Sequence, residues 1–487
     1  MNNRKDKDFY RNFSDFVSFV TGDNVADNGR PVVCIQGLGF VGAAMSVAVA
    51  NAKDENGQPK FNVVGVDLPT ENGKKRIESI NCGRFPFKTT DSKLLDALSW
   101  CKSQGNLIAT SRRSAYSLAS VVIVDVNLDA SFENGQLMLS LDGFRDAIRT
   151  LGIHMSPGSL IIVETTVPPG TCEKVVVPEI QYCLKKRALP DDSIMVAHSY
   201  ERVMPGRDYY DSIVNFWRAY SGHDQKAAKL CEAFLSKVIN TREYPLRRLE
   251  STIASETAKV LENSYRAVNI AFMEEWGRFA EMMGFDLFQV LDTVRVRPTH
   301  SNIGQPGFGV GGYCLPKDPL FASWSAKEFF SSNSLEFPFC KQAILINKEM
   351  PLVSLNKIRE LLGGNLFGKK LLLCGVSYRP DVADTRHSPS QTFVLKAREL
   401  GAEVICHDSI VTYWPEMKEK VYRKFPRPDQ IDAIIFAVNH PEYRRMDFSR
   451  YLSDNRIIVF DANNVLTEKQ RLQLIGMDVK FASIGRG

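Results

Sequence analysis

Two stretches of the chain share one pattern. Val32-Val33-Cys34-Ile35-Gln36 is a short apolar run ending in the glycine turn Gly37-Leu38-Gly39-Phe40-Val41-Gly42, and small residues follow as a helix start. Near the other end, Lys370 to Val376 is again an apolar run into a turn at Gly375. Such continuous runs predict strands covered on both faces. After the first, further strands are expected at Asn62–Asp67, Ser120–Val126 and Ser159–Glu164. After the second, they are expected at Glu403–His407, Ala433–Val438 and Arg456–Phe460. Strands alternating with helical stretches predict an α/β fold with two Rossmann-like, doubly wound parallel sheets. Between the halves, about Glu250 to Met283 reads as one long helix without proline. Ile253, Ala254, Val260, Leu261, Tyr265, Val268, Ile270, Ala271 and Phe272 make it apolar over most of its circumference. Burial on several sides is therefore expected, between domains, against another subunit, or both. Asp292 to Gly312 should be an ordered loop, and Ser331 to Pro351 should contain the connection to the last domain.

Composition narrows the class. The 487 residues are 44% hydrophobic and 24% charged, as in an ordinary globular protein of several domains. A net charge of +5 permits anionic small molecules, but there is no long basic stripe of the kind nucleic acid demands. The ten cysteines form no CxxC pair and the seven histidines do not approach one another at ligand spacing, so no metal site is expected. Reduced thiols and a polar segment Met1 to Asn28 with no apolar signal core point to the cytoplasm. Val32 to Ala50 is apolar, but three glycines and Gln36 interrupt it, against an uninterrupted spanning segment of ~20 residues. No membrane association is expected.

The candidate chemistry starts at the first glycine turn. Gly37, Gly39 and Gly42 are spaced G-x-G-x-x-G directly after a strand: one makes the turn, one admits a pyrophosphate, one lets helix and strand pack closely. The helix N-terminus behind Phe40 and Val41 offers N–H groups and a positive dipole end to phosphates. Asp67 ends the next strand, where a carboxylate accepts ribose hydroxyls and repels a 2′-phosphate, which favours NAD over NADP. Thr165 and Thr166 lie at the edge of a later strand, where open α/β sheets take ligands. One cysteine stands apart, in Gly311-Gly312-Tyr313-Cys314-Leu315-Pro316-Lys317-Asp318. The glycines allow close approach of a ligand, Lys317 favours a thiolate, and Asp318 is placed to hold a water.

With these motifs, the chain resembles the nucleotide-sugar 6-dehydrogenases, the UDP-glucose/GDP-mannose dehydrogenase family, from about Pro31 to Gly487. The cysteine octapeptide resembles its nucleophile loop, Glu256-Thr257-Ala258-Lys259-Val260-Leu261-Glu262-Asn263 its central-helix motif, and Gly375 to Arg386 the start of its nucleotide-sugar domain. The resemblance implies a polar N-terminal extension (1–30), an NAD-binding Rossmann domain (31–245), a central helical dimerisation domain with the catalytic Cys loop (246–345) and a UDP-sugar-binding Rossmann-like domain (346–487). It implies an NAD-dependent, four-electron oxidation of a sugar C6 alcohol to the uronic acid through a Cys314 thiohemiacetal and thioester, feeding surface polysaccharide synthesis, and a homodimer through the central helix. Lys259 and Asn263, four apart on one helix face, would stabilise the oxygen at C6, and Asp318 would activate or position water. Glu201 matches the motif glutamate that assists acid–base steps, within Ser199 to Gly206, and Thr166 the water-binding threonine. Gly37, Gly39, Phe40, Val41, Gly42, Asp67, Thr165, Thr166 and Arg386 fall on cofactor positions. Glu201, Arg202, Lys259, Asn263, Gly311 and Arg379 fall on substrate positions.

One departure stands out: many relatives carry proline before the motif glutamate, where this chain has Tyr200. The Glu201 loop resembles members that oxidise UDP-N-acetylhexosamines and the Cys314 loop resembles UDP-glucose enzymes, so the sugar stays open. Two competing readings remain. One is a two-electron NAD-dependent dehydrogenase of the 6-phosphogluconate or 3-hydroxyacyl type, which needs neither a cysteine nucleophile nor a second Rossmann-like domain. The other is a non-catalytic nucleotide-sugar binder.

Overall fold

The computed structural model describes residues 29–133, 136–206, 208–452 and 457–487; the polar extension read at the N-terminus lies outside them up to Asn28. The chain divides into two compact units. Of the described residues, the first holds those before Phe132 together with those in Met138–Val260 and Phe321–Leu335; the second holds the rest.

An eight-stranded sheet forms the first unit, in the order Arg247–Arg248, Ala219–Gly222, Met195–His198, Leu160–Val163, Ala119–Val124, Val32–Gln36, Asn62–Val66, Leu107–Thr110. Every neighbouring pair is parallel except Met195–His198 against Ala219–Gly222. Strand order reverses on either side of Val32–Gln36, which pairs with both Asn62–Val66 and Ala119–Val124. The glycine turn thus leaves the sheet at its topological switch point, where open α/β sheets bind ligands. Val33 and Ile35 enter one core with Val63, Ile123 and Ile162, while Cys34, Val64, Val122 and Ile161 are buried on the opposite face. Covering both faces is what the unbroken apolar runs require.

The second unit carries a five-stranded, wholly parallel sheet, ordered Glu403–His407, Lys370–Cys374, Ala433–Phe436, Ile458–Asp461, Phe481–Ser483. Leu371 and Leu373 face one core, Leu372 and Cys374 another. The expected strand from Arg456 begins at Ile458 instead, and Arg456 itself lies outside the described residues.

The long helix runs Thr252–Met283. Its apolar circumference is only partly covered within the chain. Leu261, Tyr265 and Phe272 are 65%, 51% and 47% exposed, while Val260, Ala267 and Ala271 are buried. Apolarity alone could not separate a face packed in the chain from one left open. In the stretch expected to contain the connection, a helix occupies Pro338–Leu361 and continues through Pro351. Proline removes one helical N–H donor, to Asn347, but the rest of the ladder persists. No helix of the described residues is long and apolar enough to cross a membrane.

Candidate functional site

In the first unit the glycine turn is shaped by contact. Gly37 has φ +95°, and a Cβ there would lie 2.4 Å from the Asp125 carbonyl oxygen. A Cβ on Gly42 would lie 1.9 Å from the Gly37 carbonyl oxygen, so neither position accepts a side chain. At Gly39, by contrast, a Cβ would meet nothing within 4 Å. Helix Phe40–Ala50 then begins with no side-chain cap and no acidic residue in its first turn. Its N–H groups and positive dipole end are left for an anion.

Asp67 faces this turn. Its Oδ2 accepts from the Leu38 N–H (3.3 Å) and from Arg76 Nη1 (2.8 Å), and its Oδ1 accepts from the Leu68 N–H (2.7 Å). Arg76, on helix Glu71–Asn81, was not found from the sequence, because nothing about an arginine nine residues on distinguishes it from a surface cation. Thr165 is committed to the backbone: its Oγ1 accepts from Val126 N–H at 3.0 Å and lies 2.9 Å from the Val126 carbonyl. Thr166 is partly exposed beside it. Glu256 anchors the following turn by accepting from the Gly170 and Cys172 N–H groups. Burial pushes the Glu256 carboxyl up to about 7, against the pull of those N–H donors.

Glu201 follows strand Met195–His198 and is buried, with Oε2 accepting from the Val203 N–H. Lys259 Nζ donates to the Glu201 carbonyl (2.7 Å) and lies 3.4 Å from its Oε1. Tyr200, the residue in place of proline, is buried and fixes Arg202: the guanidinium donates to the Tyr200 hydroxyl at 2.9 Å and to the Trp217 carbonyl at 2.6 Å. The aromatic ring thus orders the loop by other means than a proline would. His198 is pushed down to about 3 by burial, with Arg218 and Lys259 adding to the effect, and its Nδ1 meets Ser255 Oγ at 2.7 Å.

In the second unit, Cys314 is partly exposed, whereas most other cysteines are buried. Its carbonyl accepts from the N–H groups of Lys317 (3.1 Å) and Asp318 (2.9 Å), a tight turn that brings both residues back beside it. The Asp318 side chain is fully buried and held on both oxygens: Lys317 Nζ donates to Oδ1 at 2.7 Å and Asn263 Nδ2 to Oδ2 at 2.8 Å. The Lys317 ammonium is thus paired with Asp318, and it also sits 4.3 Å from the Tyr313 ring centroid. Gly311 and Gly312 pack against Tyr378; a Cβ on Gly311 would lie 2.5 Å from the His387 carbonyl oxygen. Arg386 is held by Asp384 (Nη2 to Oδ2, 2.7 Å) and lies over Tyr313 at 5.6 Å. Arg379 is partly exposed, its carbonyl accepting from Ser377 Oγ at 3.1 Å.

Lys259 and Asn263 are buried on one helix, 7% and 5% exposed. That excludes the solvent-facing fate common for such a pair, and each has a carboxyl partner, as buried polar heads require.

Comparison with known proteins places these features. Residues 32–238, 253–349 and 372–468 match the NAD binding domain, the central domain and the UDP binding domain of the UDP-glucose/GDP-mannose dehydrogenase family. The UDP-N-acetyl-D-mannosamine dehydrogenase of Pyrococcus horikoshii is 30% identical over 461 residues, covering 93% of this chain and 99% of that protein. The enzyme of the same name from Methanocaldococcus jannaschii is 28% identical over 445 residues, covering 90% and 93%. A solved structure of UDP-D-ManNAc dehydrogenase from P. horikoshii superposes with a TM-score of 0.77 at 27% identity, covering 94% of this chain and 99% of that one. A UDP-glucose dehydrogenase from Pyrobaculum islandicum shares the fold, with a TM-score of 0.75 at 24% identity over 92% and 98%.

Proposed function

Because the chain belongs to the UDP-glucose/GDP-mannose dehydrogenase family and is an NAD-dependent UDP-sugar dehydrogenase, we propose that it oxidises the C6 alcohol of UDP-N-acetyl-D-mannosamine to the uronic acid by four electrons. The sugar is supported by its relatives, UDP-N-acetyl-D-mannosamine dehydrogenases, and by the Glu201 loop; the four-electron course is supported by the Cys314 loop. The observation that carries it is the buried Asn263–Asp318–Lys317 set beside a partly exposed thiol. A cysteine that only packs needs no such set.

The glycine turn, the uncapped helix N-terminus and Asp67 fit NAD, which supplies the hydride acceptor when bound. The overall balance is RCH2OH + 2 NAD⁺ + H2O → RCOO⁻ + 2 NADH + 3 H⁺. In the first oxidation Glu201 receives the alcohol proton, and the Lys259 and Asn263 donors hold the C6 oxygen. Cys314 Sγ then bonds to the aldehyde carbon, giving a thiohemiacetal whose oxygen the same donors hold. After the second oxidation this becomes a thioester. Asp318 and Thr166 position the water that attacks it, and the thiolate leaves. Arg379, Arg202 and Gly311 contact the UDP-sugar, and Arg386 serves the cofactor.

The chain acts as a homodimer in the cytoplasm, and its product feeds surface polysaccharide synthesis. Support for the dimer is the stripe Leu261, Tyr265, Phe272, Trp276 and Phe279, each more than two-fifths exposed on one helix. An apolar patch of that kind closes most simply by two-fold pairing. The function is tested by an NADH-forming screen across UDP- and GDP-sugars. UDP-N-acetyl-D-mannosamine should give the highest kcat/KM, and silence across the panel would remove the proposal.

A further inference from the structure

Behind Glu201, the first unit buries an arrangement that the chemistry above does not use. Asp125 follows strand Ala119–Val124, Glu164 follows the adjacent strand Leu160–Val163, and Arg218 precedes Ala219–Gly222. All three stand at the edge of the sheet that carries the glycine turn. Glu164 and Arg218 are 1% and 4% exposed, and Arg218 Nη2 is paired with Glu164 Oε1. Asp125 as a residue is partly exposed, yet its Oδ2 is shut away from solvent.

The hydrogen-bond accounting leaves a gap. Glu164 Oε2 and Asp125 Oδ2 are buried and receive no hydrogen bond from any donor among the described residues. The two residues are nevertheless neighbours on the sheet: they follow the paired Val124 and Val163, and the Glu164 N–H donates to the Val124 carbonyl at 3.1 Å. Two ionised carboxylates are acceptors only and cannot bond to each other. Facing one another in a buried site, they would repel as well as leave two oxygens unserved. A single proton between them removes both defects at once.

We propose that Asp125 and Glu164 share one proton, as a carboxylic acid bonded to a carboxylate, and that the pair is a positioning element fixing the buried charge behind Glu201 at one negative unit, matched by Arg218. The charged and titratable groups around it agree. Glu201 adds a negative charge on the same side, Arg218 opposes it, Cys231 flanks Arg218 and Glu164, and His198 and Lys259 lie beyond. Burial is the main reason the Asp125 carboxyl is pushed well above the usual carboxylate range, with Glu164 and Glu201 adding to it. Burial also raises Glu164, against the pull of Arg218. With the proton retained, Arg218 balances the pair and Lys259 meets Glu201, so the set carries no excess charge. Without it, an extra negative charge would stand directly beneath the turn proposed to take the pyrophosphate.

The role toward Glu201 rests on the function proposed above, but the shared proton does not, and infrared difference spectroscopy of the full-length protein tests it alone. At pH 8, the difference between wild type and Asp125→Asn should show the C=O stretch of a protonated carboxyl that the variant lacks. Glu164→Gln should lose the same band, since Asp125 then becomes the carboxylate facing Arg218. Either variant suffices if the other fails to fold. No protonated-carboxyl band in the wild-type difference would overturn the proposal. In the NADH assay, each single variant should keep the pH profile of kcat/KM in place whatever the fall in rate, because each preserves one negative unit. Two ionised carboxylates predict instead that either variant displaces the profile by about a pH unit. A profile displaced while the band behaves as expected would count against the positioning role and leave the proton sharing intact.

Discussion

The two Rossmann-like sheets repeat one device and use it differently. Each first strand ends in a glycine with positive φ, Gly37 at +95° and Gly375 at +108°. Each second strand ends beside an aspartate, Asp67 or Asp408, whose Oδ2 accepts from the N–H one residue past that glycine, Leu38 at 3.3 Å and Val376 at 2.8 Å. There the likeness stops. Asp67 shares its carboxylate with Arg76 and two backbone N–H groups at the rim of the turn. Asp408 is fully buried and accepts from the N–H groups of Val376, Ser377, Ile410 and Val411, with His440 at 3.2 Å. Burial alone would raise Asp408, yet His440 and these N–H groups hold it well below the usual carboxylate range. The chain after the turns also differs. Helix Phe40–Ala50 starts at once with an open N-terminus, whereas the second sheet's helix waits until Pro389 and is capped by Ser388. The intervening segment carries Tyr378, Arg379 and Arg386. A strand-end aspartate therefore marks a dinucleotide site only when its carboxylate is still available to a ribose.

Substitutions can break this comparison. The largest effect is expected where the first sheet's side meets the chemistry: Lys259→Ala should cost ~10²–10³ in kcat with KM changed little, because removing a donor to a developing oxyanion slows the reaction more than it weakens binding. A steady-state assay showing wild-type kcat would reduce Lys259 to a structural anchor for Glu201. Next, Asp408→Ala should destabilise the protein by about 3–5 kcal/mol, since it strands several buried N–H donors, while NAD affinity stays as it was. Denaturant unfolding and NAD titration read the two halves separately. Asp67→Ala should do the reverse, raising KM for NAD about tenfold and eroding preference over NADP, with little change in stability. Comparable kcat/KM for NAD and NADP in the wild type would show that Asp67 does not read the ribose.

The smallest effect concerns pH. Asp408 has a depressed carboxyl, so its stabilisation is present above the ordinary carboxylate range and is lost as pH falls through its own. Glu256 has the opposite sign. Its carboxyl is raised to about 7, so its contribution is full below the ordinary range and declines as pH rises toward 7. Melting curves from about pH 2 to 8 should lose the acid-side slope in Asp408→Asn and the neutral-side slope in Glu256→Gln. Matching curves for the two variants would sink the distinction.

The same contrast explains what was legible in the sequence. Val32–Gln36 is legible to the residue because a run buried on both faces has no polar interruption, and Glu403–His407 because Val404-Ile405-Cys406 is apolar between polar ends. Strand Ala219–Gly222 escaped notice, since Ala-Tyr-Ser-Gly carries no apolar pattern and is buried by its neighbours. The edge strand Arg247–Arg248 is charged and fully outward. Within the site, Cys314, Lys259 and Asn263 could be named because they lie in local motifs. Arg218 and Glu164 could not, being 54 residues apart and joined only by folding. The open face of the long helix has a related lesson: apolar spacing says which residues avoid water, and the partner that covers them is outside the sequence pattern.

The four-electron course through Cys314 is tested most directly by counting NADH. With limiting UDP-N-acetyl-D-mannosamine and excess NAD, the wild type should form two NADH per sugar and the uronic acid as sole product, while Cys314→Ser should form no acid yet bind NAD and the UDP-sugar normally. One NADH per sugar, or undiminished acid from Cys314→Ser, would contradict it.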